Sequence, residues 1–124
     1  MKQHQGELSL STIAMPADAN ANGDIFGGWV MAQMDMAGSI PAKIAVRNRI
    51  VTVAVDKMKF LKPVKVGDRV VCYTRISRLG NTSITIEVDV YAERLTENKE
   101  VKVTEGQFTY VSIDEQGRPK RIEN

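Results

Sequence analysis

A chain of 124 residues with 43% hydrophobic residues and a formal net charge of +2 predicts one domain over residues 1–124. Its basic residues are spread along the chain and no apolar run reaches the roughly 20 residues of a membrane helix, so we expect no nucleic-acid partner and no membrane partner. A single cysteine, Cys72, and an N-terminus without an apolar signal segment predict a cytoplasmic protein.

The first half of the chain predicts a strand, a loop and one long helix. Residues 7–14 alternate apolar and polar side chains, as a short strand does. Residues 15–28 are rich in Gly, Asn and Asp and predict a loop. Residues 29–46 predict the helix, with a kink after Gly38-Ser39 because Pro41 removes one hydrogen bond. Arg47 and Arg49 place cations at the negative end of this helix.

The second half predicts four β-strands, at residues 50–61, 69–79, 82–95 and 101–113. Gly80-Asn81 predicts a two-residue hairpin between the second and third of these strands. The third strand alternates clearly, with one face formed by Ile84, Ile86, Val88, Val90 and Ala92. Residues 114–118 predict a turn, and the tail to Asn124 is expected to be frayed.

These elements predict an α+β fold in which a five-stranded antiparallel sheet curves around one long helix. The helix is apolar around most of its circumference, which predicts burial on nearly all sides. One small sheet cannot cover so much surface. We therefore expect a homodimer in which strands join edge to edge into a larger sheet.

The scarcity of histidine and cysteine excludes several kinds of catalytic site. His4 is the only histidine and lies in a polar N-terminal arm that we expect to be poorly ordered, while Cys72 falls within a strand. One His and one Cys cannot form a zinc site, and no nucleophile elbow or glycine-rich phosphate loop is present. The catalytic groups of an enzyme built from this chain are therefore carboxylates, amides and backbone groups.

The start of the predicted helix has the features of a catalytic site at a carbonyl carbon. Gly27 and Gly28 offer backbone N–H groups that have no partner within the first turn of a helix. Asp35 follows two turns later in a stretch rich in methionine, and it can activate water or attack a carbonyl directly. A solvated or dimer-paired charge at Asp35, and close helix packing at the two glycines, are the alternative interpretations.

Two segments have distinctive sequences: Met15 to Asp35 reads MPADANANGDIFGGWVMAQMD, and residues 51–68 read VTVAVDKMKFLKPVKVGD. Both resemble the hotdog-fold acyl-CoA thioesterases of the bacterial YciA type. The first segment is the more specific one, and the second occurs more widely among hotdog thioesterases. The resemblance implies a hotdog fold, a double-hotdog dimer that assembles into a trimer of dimers, and hydrolysis of acyl-CoA to free acid and CoA. It implies no cofactor, because coenzyme A is part of the substrate.

The resemblance also implies roles for individual residues. Asp35 matches the helix carboxylate, a general base or nucleophile, and Asp24 matches a loop position that works with Asp35 of the partner subunit. Gly27 and Gly28 match the glycines near the thioester carbonyl. An Asx turn after Gly23, or a place in the N-terminal cap region of the helix, explains Asp24 equally well.

Further residues are candidates for contact with the acyl-CoA, and each has a structural alternative. Asn22 is more typical of a turn, and scattered cations are more typical of a solvated face. The remaining candidates are Phe26, Trp29, Lys59, Arg75, Thr82 and Ser83.

Two other functions remain open at this point. A non-catalytic acyl-CoA sensor on the same fold would bind its ligand without turnover. A hotdog hydratase or dehydratase would need a histidine beside a carboxylate, which His4 is badly placed to supply.

Overall fold

The computed structural model describes residues 4–123 and consists of five β-strands and one long α-helix. The strands are β1 (Glu7–Ile13), β2 (Arg49–Phe60), β3 (Arg69–Leu79), β4 (Ser83–Arg94) and β5 (Lys99–Ile113). The helix α1 (Gly27–Val46) has 20 residues, and a single 3-10 turn (Pro16–Asp18) precedes it. The predicted number, type and order of the main elements are confirmed.

The five strands form one antiparallel sheet in the order β1-β3-β4-β5-β2. Sequential hairpins place β3, β4 and β5 side by side, so β4 lies at the centre of the sheet. The connections before and after α1 carry β1 and β2 to opposite edges. The helix contacts all five strands and packs against one face of the sheet, which confirms the predicted α+β arrangement.

Alternation along β4 determines which face of the sheet covers the helix. The five apolar side chains predicted to share a face are all fully buried. They pack with Val30, Met34, Ala37 and Ala42 of the helix in one core. Side chains on this face therefore point toward α1, and the alternate positions of β4 point away from it.

Part of the helix and one sheet edge remain exposed in the single chain. Met36, Ile40 and Ile44 are exposed along α1, and alternate valines of the edge strand β2 are exposed too. The helix is therefore not buried on nearly all sides by its own chain. This exposed apolar surface agrees with the expected homodimer, which stays a prediction.

The helix begins two residues earlier than predicted and ends as expected. Its first residue is Gly27 rather than Trp29, and Pro41 lies inside it. Arg47 ends the helix with φ of 65°, and its N–H donates to the Lys43 carbonyl. The kink at Pro41 stays a prediction.

The predicted β3–β4 hairpin is present, but its tip is shifted by one residue. The Gly80 N–H donates to the Ser83 carbonyl at 2.7 Å, and Leu79 pairs with Ile84. The two residues at the tip are therefore Asn81 and Thr82 rather than Gly80 and Asn81.

The predictions for the two ends of the chain are wrong within the described residues. His4 is not part of a poorly ordered arm, because its ring stacks on Tyr73 at 4.2 Å and its Nε2 lies 2.9 Å from Glu100 Oε1. The tail is not frayed up to Ile122, whose side chain is buried and whose N–H donates to the Asn81 carbonyl. Residues 1–3 and Asn124 lie outside the described residues.

Candidate active site

The loop before the helix is organised around the Asn20 side chain. Asn20 Oδ1 accepts hydrogen bonds from the backbone N–H groups of Asn22 at 2.9 Å and Asp24 at 3.1 Å. The Asn20 N–H donates in turn to the Asp24 carbonyl at 2.7 Å. Gly23 takes φ of 84°, which a side chain would strain. This is an Asx turn that fixes the loop and leaves the Asn20 amide NH₂ without an acceptor among residues 4–123.

Hydrogen bonds to two other segments fix where the helix begins. The Ile25 N–H donates to the Val64 carbonyl at 3.0 Å, and the Phe26 N–H donates to the Asp18 carbonyl at 3.1 Å. Asp24 also forms an ion pair with Lys65. The start of α1 is therefore held against the β2–β3 connection.

The first turn of the helix presents two backbone donors that nothing in the described chain engages. The first helical bonds are donated by Trp29 and Val30 to the Phe26 carbonyl. None of residues 4–123 accepts from the N–H of Gly27 or Gly28, and Phe26 provides no side-chain cap. The first turn contains no acidic residue. The positive end of a 20-residue helix is therefore available to a partly negative oxygen atom.

The two glycines have different surroundings. A Cβ at Gly27 would lie 3.2 Å from the Phe60 ring, so the close approach of this ring explains glycine at that position. A Cβ at Gly28 would meet nothing within 4 Å. Packing within the chain therefore accounts for glycine at position 27 but not at position 28.

An apolar cavity of about 310 Å³ opens beside the first turn of the helix. Its wall includes Gly27, Val30, Phe60 and Thr104, and the β2–β3 connection closes one side. Phe26 is exposed nearby, whereas Trp29 packs against the core. This cavity has the apolar lining that an acyl chain requires.

Asp35 is held at two points by neighbouring strands. Its Oδ1 accepts a hydrogen bond from Thr52 Oγ1 at 2.8 Å, and its backbone carbonyl accepts one from the Tyr110 hydroxyl at 2.8 Å. Thr52 on β2 and Tyr110 on β5 are direct cross-strand partners. The sequence reasoning missed both residues, because a contact across 17 or 75 positions leaves no local pattern.

Asp35 is directed away from the start of its own helix. It lies seven residues beyond Gly28, or about 10 Å along the axis at about 1.5 Å per residue. Thr52 draws the carboxylate toward the beginning of β2, whereas Gly27 lies beside Phe60 at the end of the same strand. Within one chain, the carboxylate and the free N–H groups therefore occupy different ends of the helix–β2 contact.

The remaining candidate residues lie away from the helix entry of the same chain. Arg75 is on the sheet face opposite α1, where it pairs with Glu87 at 3.1 Å and Asp89 at 3.0 Å. Lys59 lies opposite Glu105 on the exposed β2 edge. Thr82 and Ser83 lie at the β3–β4 hairpin, near the end of the sheet where β5 finishes.

The candidate Asn22 and the single histidine, His4, make the following contacts within the described chain. The Asn22 side chain is exposed, and its backbone N–H serves the Asx turn. His4 packs against Tyr73 of β3 and Tyr91 of β4, on the sheet face opposite α1. Among residues 4–123, no group of His, Cys, Asp and Glu side chains has the arrangement of a metal site.

The sequence profile described as the Thioesterase superfamily matches residues 22–98, which include the glycines, Asp35 and Thr52. The chain belongs to the thioesterase superfamily. The acyl-CoA thioester hydrolase YciA of Escherichia coli strain K12 is 49% identical over 121 residues, covering 95% of this chain and 92% of the relative.

Solved structures of thioesterases have the same fold. A hexameric hotdog-fold thioesterase of Campylobacter jejuni is 40% identical with a TM-score of 0.91, covering 98% of this chain and 93% of that one. The arrangement of one long helix and five antiparallel strands is therefore the hotdog fold, as predicted. No helix among residues 4–123 is long and apolar enough to cross a membrane.

Two structures of an acyl-CoA hydrolase from Staphylococcus aureus concern variants at single positions. Each is 28% identical to this chain, and the TM-scores are 0.82 and 0.85. The matched regions cover 91% and 93% of this chain and 69% of the S. aureus chain. In one, an aspartate at position 43 of that chain is replaced by alanine, and in the other an asparagine at position 28 is replaced. The two replaced residues are 15 positions apart.

Proposed function

We propose that this protein hydrolyses acyl-CoA thioesters to a free carboxylic acid and CoA. The observation that carries the proposal is the pair of unengaged N–H groups at Gly27 and Gly28, beside an apolar cavity. The chain belongs to the thioesterase superfamily, and its E. coli relative is named as an acyl-CoA thioester hydrolase. An acyl-CoA thioester is therefore the expected substrate. The acyl chain would occupy the cavity of about 310 Å³, with its carbonyl at the helix start.

The helix start would activate the thioester carbonyl. As a nucleophile adds to the carbonyl carbon, negative charge develops on its oxygen, and the N–H groups of Gly27 and Gly28 stabilise that charge. Because these groups are already fixed by the loop and the β2–β3 connection, no reorganisation is needed during the reaction. Removal of one such donor typically costs about 10²–10³ in rate.

Asp35 would supply the second half of the chemistry. In one route its carboxylate takes a proton from water, whose oxygen adds to the carbonyl carbon; the C–S bond then breaks and CoA leaves as a thiolate. In the other route the carboxylate itself adds to the carbonyl carbon, the C–S bond breaks to release CoA as a thiolate, and water hydrolyses the resulting mixed anhydride to the free acid and the Asp35 carboxylate. A thiolate leaves without a strong general acid, which agrees with the position of His4 on the sheet face opposite α1.

We infer that one catalytic site uses Asp35 from one protomer and the helix start of a second. Within a chain these groups lie about 10 Å apart along the helix, and Thr52 draws the carboxylate away from the glycines. An edge-to-edge dimer through β2 would bring the beginning of one β2 strand near the end of the other. The hexameric thioesterase of C. jejuni makes a trimer of such dimers the expected assembly.

Asn20 is a stronger candidate than Asp24 for the polar partner of Asp35. Asn20 and Asp35 are 15 positions apart, the same separation as the two replaced residues of the S. aureus enzyme. The Asn20 carbonyl oxygen is fixed by two backbone N–H groups, so its free NH₂ group has a defined direction. Asp24 is instead paired with Lys65.

The test is thiol release from a series of acyl-CoA substrates, followed with a disulfide dye. The wild-type chain should turn over, and Asp35→Asn should lose roughly 10² or more in kcat, since a positioned acid–base group contributes about that much. Glu115→Gln makes the same charge change in the exposed 114–118 turn and should keep wild-type kcat. Saturable acyl-CoA binding without turnover at any chain length would refute the proposal and favour the acyl-CoA sensor.

A further inference from the structure

The middle of the helix contains a close contact that the proposed chemistry does not by itself explain. Tyr110 of β5 is 1% exposed, and its hydroxyl donates to the Asp35 carbonyl at 2.8 Å. Gly38 lies against the same hydroxyl, where a Cβ would be only 2.5 Å from the Tyr110 oxygen. Only glycine therefore allows the phenol to reach the helix backbone at this point.

The helix is also weakened just after Asp35. Ser39 Oγ donates to the Met36 carbonyl at 2.6 Å, a bond that competes with the regular helical pattern. Pro41 has no N–H, so the Ala37 carbonyl loses its usual helical donor. A glycine, a back-bonded serine and a proline within four residues leave the local backbone dependent on contacts from outside the helix.

Tyr110 and Thr52 together hold Asp35 from the sheet. The two residues are opposite each other in the β2–β5 register, so they present neighbouring side chains on the same face. Thr52 binds the carboxylate and Tyr110 binds the backbone carbonyl of the same residue. Two hydrogen bonds from adjacent strands therefore fix both the position of the Asp35 backbone and the direction of its side chain.

We propose that Tyr110 is a positioning residue for the Asp35 carboxylate and that Gly38 is required to admit its hydroxyl. This inference rests on the proposed function, in which Asp35 acts on the thioester. Tyr110 is too deeply buried to touch substrate, so its effect on the reaction passes through Asp35.

The Tyr110 hydroxyl acts as a donor throughout the working pH range. Burial raises the pKa of the phenol above its ordinary value, and the nearby Asp35 charge raises it further. The hydroxyl therefore keeps its proton while thioester hydrolysis is measured near neutral pH.

The experiment is a double-mutant cycle with Tyr110→Phe, Gly38→Ala and the combined variant, measured as kcat, KM and Tm. Each single variant should lose roughly 10-fold or more in kcat with KM nearly unchanged, because a misplacement of about 1 Å can cost about 10² in rate. The combined variant should match Tyr110→Phe, because without the hydroxyl the new Cβ meets ring carbons at an acceptable 3.4 Å.

The Tm values give an independent readout, because Gly38→Ala should change Tm in opposite directions in the two backgrounds. Gly38→Ala should lower Tm in the wild-type background, where the Cβ displaces a buried hydroxyl. It should raise Tm in the Tyr110→Phe background, because alanine favours a helix over glycine. Tyr91→Phe, the same change on the opposite sheet face, is the matched control and should keep wild-type kcat.

Each result distinguishes this inference from the proposed function. An active wild type with Tyr110→Phe at full kcat, even with a lower Tm, would show a purely structural tyrosine and overturn the inference alone. Losses that multiply in the combined variant would also overturn it, since they would mean that Gly38 acts separately from the hydroxyl. A wild type without turnover would remove the proposed function and the positioning role together.

Discussion

Replacing Thr52 by valine tests whether the carboxylate of Asp35 is oriented by the bond seen in the structure. Valine has the shape of threonine and suits a β-strand, so the change removes the hydroxyl with little effect on folding. The lost bond is a single 2.8 Å contact to a carboxylate. Such bonds contribute about 1.5–3 kcal/mol, and each 1.36 kcal/mol lost from the transition state is about tenfold in rate. Because the contact is partly solvated in the single chain, we take the low end and expect kcat to fall about 10-fold.

The assay is acyl-CoA hydrolysis at saturating substrate, with Thr52→Ser as the matched control that restores the hydroxyl. Thr52→Ser should recover most of the activity, and KM should change little in both variants because Thr52 contacts Asp35 rather than the leaving group. If Thr52→Val keeps kcat within about twofold of wild type while Asp35→Asn is inactive, the bond does not orient the carboxylate during reaction.

Two further predictions concern the loop and the buried thiol. Asn20→Ala should lower kcat by roughly 10-fold or more, whereas Asp24→Asn, which breaks only the Lys65 pair, should stay within severalfold of wild type. The reverse order in steady-state kinetics would restore Asp24 as the partner of Asp35. Burial raises the pKa of Cys72 from 9.0 to about 12, so the native thiol should not react with the disulfide dye near pH 8. Above pH 9 the thiol ionises in the unfolded chain but stays protonated in the folded chain. The unfolding free energy of wild type should therefore fall with pH, relative to that of Cys72→Ala, by up to about 1.4 kcal/mol per pH unit. Parallel urea-unfolding curves for the two chains across that range would contradict this.

The fold could be predicted because its main elements carry strong local patterns. The period of two in β4 specified its buried face, and the apolar stretch of α1 specified the helix. The helix start was placed two residues late because glycine is a poor helix former and Phe26 is not a typical cap. The tail was misjudged because Ile122 is held by Asn81, a partner 41 residues away.

The candidate site could be predicted only in part, because contacts between residues far apart in the sequence leave no local pattern. Gly27, Gly28 and Asp35 share one helix, so their spacing was visible in the sequence. Thr52 and Tyr110 reach Asp35 only after the sheet has formed. Arg75 was chosen for its charge alone, and strand parity places it on the sheet face away from the helix. Its contact with substrate stays a prediction.

The separation of Asp35 from Gly28 along the helix has a consequence for mixtures of variants. If each site draws these groups from two chains, Asp35→Asn and Asn20→Ala damage opposite halves of the site. Two preparations that each have low activity should then complement one another once their subunits exchange. Random pairing of equal amounts gives about one intact site in four, because half of the dimers are mixed and each mixed dimer has one site without a substitution.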